Sequence, residues 1–150
     1  MGILVSGIIY KGKILVEKKF YPEEGFISEE MVGDLFNGIL EFVNQTFHDE
    51  LNRFIIGNYP ILMVSRKLTP TGELSSEDSL IVIFSIIEKD TKEKPVISAM
   101  NNSLDQFLNR YSNFDIRSMK IKKFKKFEKR MEETFADLAL KLEDRFKALY

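Results

Sequence analysis

The sequence predicts an α+β domain of five strands and three helices. Three observations predict it. Strand-length apolar runs rich in β-branched residues occur near the N-terminus and again in the middle of the chain. Between them, over 28–47, the apolar period changes to the 3.6 of a helix. Beyond residue 95 helical spacing returns and persists. The resulting order is β-β-α-β-β-β-α-α. With 150 residues and no repeat, low-complexity tract or linker, residues 1–150 read as one domain, large enough for a core of its own.

Residues 3–10 are almost continuously apolar, the pattern of a strand covered on both faces. Lys11-Gly12 is a hairpin link to a second strand over 13–20, more polar toward its end as an edge requires. Tyr21–Gly25 is a turn. Ser28 offers a capping hydroxyl, and Glu29 and Glu30 place acids where the helix dipole favours them. Met31, Val32, Leu35, Phe36, Ile39, Leu40, Val43 and Phe47 then make one stripe. Gly33 and Gly38 interrupt this helix at some cost, and they would permit close approach of the sheet or of another helix. The runs 54–57, 61–65 and 80–87 predict three more strands, separated by Asn58-Tyr59-Pro60 and by a polar loop over 69–78. Asp90–Pro95 closes the last strand. A helix follows with Val96, Ile97, Met100, Leu104, Phe107, Leu108 and Tyr111 along one side, and the segment 113–120 breaks its pattern.

Phe124, Phe127, Met131, Phe135, Leu138, Leu142, Phe146 and Leu149 step by three or four residues and predict a long amphipathic helix over 119–149. A straight helix of that span is about 46 Å long, whereas a compact domain of this size is about 40 Å across. Two readings stay open. The helix packs along the sheet, or an overhanging end buries Leu142, Phe146 and Leu149 against a second copy or a partner. Its charge is polarised: Lys120, Lys122, Lys123, Lys125, Lys126, Lys129 and Arg130 face only Glu128 in the same stretch. Cations near a helix N-terminus oppose the macrodipole, so helix stability does not account for them. They form either a solvated face or a candidate site for an anionic surface.

Composition removes much chemistry. Without Cys there is no disulfide, thiolate metal site or Cys nucleophile, and His48 is the one histidine. The adjacent pairs Glu23-Glu24, Glu29-Glu30 and Glu132-Glu133 diverge on a helix and share neither a proton nor an ion. No P-loop, dinucleotide fingerprint or nucleophile elbow occurs. The expectation is no enzyme, no metal and no cofactor. A formal charge of −1 and a pI near 5.9 argue against nucleic acid. The N-terminal apolar run is too short to span a bilayer, so the expected location is cytoplasmic, extending to the periphery of a membrane.

The element order and lengths resemble the longin-domain family (longin/roadblock-like superfamily), found in SNAREs, in the small chains of vesicle-coat adaptors and in TRAPP-type tethers. The chain opens directly with a strand, which favours the longin variant over roadblock domains, and no SNARE heptad segment or anchor follows. The resemblance implies a five-stranded sheet, mixed but mainly antiparallel, with helices on both faces, and a non-enzymatic interaction module, an adaptor or small-GTPase regulator in membrane-associated trafficking. Its partners would be a small GTPase, another longin or roadblock protein, or a second copy in a homodimer. The strand holding Phe54 and Ile56 would be the exposed sheet edge, and the helix carrying Gly33 and Gly38 a contact surface. The alternative is a small-molecule sensor of PAS- or profilin-like form, with a pocket lined by residues such as Phe36, Ile83 and Phe107.

Overall fold

β-Branched and apolar residues alternate along a pleat with no polar face left over, and this decides the centre of the protein. In the computed structural model, which describes residues 2–10, 13–20, 51–56, 58–68, 80–118 and 120–138, the strands are β1 (Ile3–Tyr10), β2 (Lys13–Lys19), β3 (Leu51–Ile56), β4 (Tyr59–Lys67) and β5 (Leu80–Ile87). The fold is mixed α+β, an antiparallel sheet with helices packed on it. The strand order is β2-β1-β5-β4-β3. Each ladder is antiparallel, so the parallel pairing that a mixed sheet would contain is not seen among the described strands.

Register assigns the faces. Ser6 lies opposite Ser85, Ile8 opposite Ile83, and Ile83 opposite Val64. On this face Ile8, Tyr10, Leu62, Val64, Ile81 and Ile83 join the helices in one buried cluster. On the other face Ile9, Ile61, Met63, Val82, Phe84 and Ile86 are equally buried. Of the serines buried in the strands, Ser6 and Ser85 face each other: Ser6 Oγ donates to the Phe84 carbonyl at 2.9 Å and sits 3.1 Å from Ser85 Oγ. Buried hydroxyls of this kind cost stability unless they are paired.

The first described helix, α1 (Glu93–Arg110), buries Val96, Ala99, Met100, Ser103, Leu104 and Phe107. It begins before Pro95, not after it as the sequence reading has it, because proline is tolerated in a first helical turn that needs no N–H. Arg66 of β4 holds α1 over the sheet, donating to Asp105 and, at 2.9 Å, to Asn101 Oδ1. Arg53 of β3 reaches Glu93 at 2.9 Å.

The segment 113–120, expected to be irregular, contains α2 (Asn113–Ser118), which buries Ile116. A reciprocal cap starts it: Asp115 N–H donates to Ser112 Oγ at 3.1 Å, and Ser112 N–H to Asp115 Oδ2 at 3.3 Å. The continuous helix expected over 119–149 differs in its described part. There it is α3 (Ile121–Phe124) and α4 (Phe127–Thr134), with turns at 125–126 and 135–138. The stripe still points inward, with Phe124, Phe127, Met131 and Phe135 all buried. Phe107, Tyr111, Phe124 and Phe127 form one aromatic cluster with neighbouring centroids 4.8–6.2 Å apart. After Phe135 the chain turns back so that the Leu138 carbonyl accepts the Ile3 N–H at 2.9 Å. The helix at 28–47, the loop at 69–78 and the end of the stripe lie outside the described residues.

Gly7 is required by a close approach. A Cβ there would lie 2.7 Å from two Phe84 ring atoms and 3.1 Å from the Val16 carbonyl oxygen, and Phe84 is fully buried. Gly7→Ala should therefore cost about 1–3 kcal/mol of stability in urea unfolding. In the double variant Gly7→Ala/Phe84→Leu the two losses should be clearly less than additive, since the smaller side chain relieves the overlap.

Candidate functional site

α2 and α3 make a corner beside the sheet, and the basic side chains point outward there because the apolar stripe occupies the inward positions. Lys120 precedes α3, Lys122 and Lys123 lie within it, Lys125 and Lys126 form the turn, and Lys129 and Arg130 stand on α4; all are exposed. Lys123 is paired, its Nζ 3.1 Å from Asp115 Oδ1. Beneath it Tyr111 Oη donates to the Lys123 carbonyl at 3.1 Å, tying α3 to the end of α1.

Two depressions flank α3. An open groove of about 520 Å³ is lined by Arg110, Tyr111, Asp115, Lys122, Lys123 and Lys126. A second, of about 320 Å³, runs between β2 and the helices, with Ile14, Leu15, Val16 and Ile121 as its apolar part and Glu17, Lys122, Lys125 and Glu128 as its charged part. Lys122 borders both. Two large apolar side chains stand out at this corner: Phe114 is 78% exposed and Ile121 48%.

Electrostatics separate the two acids. Hydrogen bonds from Lys123 and Ser112 hold the Asp115 carboxyl below the usual range for an aspartate. Burial pushes Glu17 up, Lys19 opposes that and Glu128 adds to it. Glu17 Oε2 is shut off from solvent and has no hydrogen-bond partner.

Of the residues the sequence singled out, Lys122, Lys123 and Lys126 share one groove and Lys122 and Lys125 the other, while Lys120, Lys129 and Arg130 are exposed and line neither. The structure places the backbone of Phe54 and Ile56 in β3, an outer strand of the described sheet. Gly33, Gly38, Leu142, Phe146 and Leu149 lie outside the described residues, as do Phe36 and His48. Ile83 and Phe107, suggested walls of a sensor pocket, are fully buried members of the close-packed cluster. Sequence reasoning missed Arg110, Phe114 and Asp115 as members of the corner. The signal that could have found them is Ser112 followed three residues later by Asp115, a capping-box spacing that announces a helix start. Among the described residues no helix is long and apolar enough to cross a membrane, and no three His, Asp or Glu side chains converge as a metal site would require.

No family model matches the chain, and no curated protein does so either.

The two acids predict opposite pH behaviour. Asp115 binds its proton less tightly folded than unfolded, so its stabilising contribution is present above the unfolded value of 3.8 and is lost as pH falls through the lower folded value. Asp115→Asn should remove that acid-side loss. Glu17 binds its proton more tightly when folded, so stability should fall as pH rises from 4.5 through its raised folded value. Glu17→Gln should abolish that fall and be the more stable protein at neutrality, read from urea midpoints across the range. Ser112→Ala, which deletes the cap of α2, should cost about 1 kcal/mol in the same assay.

Proposed function

We propose that the protein is a non-enzymatic interaction module of longin type, acting as an adaptor or small-GTPase regulator in membrane-associated trafficking. The observation that carries this reading is the position of β3: it is paired to β4 on one side and is an outer strand of a sheet whose central strands are buried on both faces. That is the position the longin resemblance assigns to the strand containing Phe54 and Ile56. An outer strand offers backbone donors and acceptors to a partner's strand, and Ile55 beside them is 56% exposed.

The finer architecture belongs to the same proposal. The helix expected at 28–47 would cover the face bearing Ile9, Met63 and Phe84, which completes the order β-β-α-β-β-β-α-α with helices on both faces. Gly33 and Gly38 on that helix, and Leu142, Phe146 and Leu149 near the C-terminus, would be the contacts of a homodimer or of a longin or roadblock partner. The protein would act in the cytoplasm.

Calorimetric titration of the purified chain with small GTPases of the same organism, loaded with GDP or a GTP analogue, tests the reading. Saturable binding to one of them, lost in Ile55→Arg, is the expected result. An unchanged affinity in that variant removes the edge as the contact, and absence of binding to every GTPase removes the regulator role. Light scattering with and without residues 140–150 tests self-association: a monomer in both cases removes the dimer.

A further inference from the structure

The corner of α2 and α3 combines two features that neither helix stability nor packing requires. Phe114 stands 78% exposed on a helix whose buried residue is Ile116, and Ile121, seven positions on, is 48% exposed. Asp115, next in sequence to Phe114, lines one open groove with Arg110, Lys122, Lys123 and Lys126, and Ile121 lines the neighbouring one, which shares Lys122, although the whole chain carries a formal charge of −1. Only Lys123 has a described ion pair in this set, with Asp115. An exposed aromatic within a concentration of lysines is the composition of a surface that enters a lipid headgroup layer.

We infer that this corner is a docking surface for an anionic lipid bilayer, with Phe114 entering the headgroup layer and Arg110, Lys122 and Lys126 set against lipid phosphates. Lysines dominate over arginines here, which suits a diffuse layer of phosphates better than bidentate recognition of one group. A solvent-exposed phenyl ring adds nothing to charge pairing with an acidic polymer, whereas it gains from leaving water for the interface. This inference is independent of the longin reading: it uses neither β3 nor a GTPase.

The test is vesicle flotation of the full chain with phosphatidylserine-rich and pure phosphatidylcholine vesicles, at low and high salt. Binding to the first alone, weakened by salt, is expected. Each cation near such a surface contributes about fivefold in partitioning, so Lys122→Glu/Lys126→Glu should lower it about 25-fold or more. The chain has no tryptophan, so Phe114→Trp is a clean reporter on a side chain that packs against little, and its emission should shift to the blue when anionic vesicles are added. Equal binding to both vesicles, or none to either, overturns the inference. So does an unshifted emission from vesicle-bound protein, which would assign the contact to another surface. If polyglutamate or RNA binds more tightly than the vesicles and displaces them, the corner is a site for that polymer instead. Circular dichroism of the double variant separates lost docking from lost folding, and the tryptophan reporter decides the matter even where the double variant unfolds.

Discussion

The central strands β1, β5 and β4 have no side that faces water, and the rest of the structure answers to that constraint. Ile8 and Ile83 point to the helices while Ile9 and Val82 point away, and all four are buried. Backbone polar groups in such strands find partners only in neighbouring strands, so the ladders must be continuous across the sheet. Exceptions to apolarity inside it are short and matched. Ser6 faces Ser85 and bonds the Phe84 carbonyl, so these two hydroxyls are partnered. Gly7 faces Phe84, where the missing Cβ leaves the space that the ring occupies.

Covering that sheet shapes the helical part. α1 settles by burying Val96, Met100, Leu104 and Phe107, and Arg66 clamps it from β4 through Asn101 and Asp105. The chain then has to keep a second apolar stripe on the same core. Phe124 and Phe127 both pack around Phe107, and Leu138 comes back to the start of β1. The chain does so as two short helices, with turns at 125–126 and 135–138. Lys125 and Lys126 occupy the first of those turns, where both side chains project into solvent. Packing of the aromatics thus fixes which positions of α3 and α4 face outward, but not that cations occupy them.

The fold class and much of the element placement were legible because burial on both faces forces unbroken apolar runs, and Ile3–Tyr10 and Leu80–Ile87 carry that mark plainly. The helix with Val96, Met100, Leu104 and Phe107 was legible for the parallel reason of period. Less could be read where a local cap outweighs periodicity. α2 is too short to show a stripe, and it rests on Ser112 and Asp115, two polar residues in a stretch whose apolar pattern is broken. The cations were legible as a cluster, but not their company. Phe114 sits outside the helical stripe, and nothing in spacing says that Ile116 rather than Phe114 turns inward.

The sequence by itself determined the α+β class, the strands of the central sheet, the inward stripe from Phe124 to Phe135 and the absence of thiol chemistry. These follow from residue type and period, which act over a few neighbouring positions. Only tertiary structure decided that β5 inserts between β1 and β4 in the described sheet, that the C-terminal stripe breaks to bring Leu138 onto β1, and that Arg110 and Lys126 line one groove. Each of these depends on contacts between residues far apart in the chain. Such contacts are set by competition for one shared core, which no single segment's pattern records.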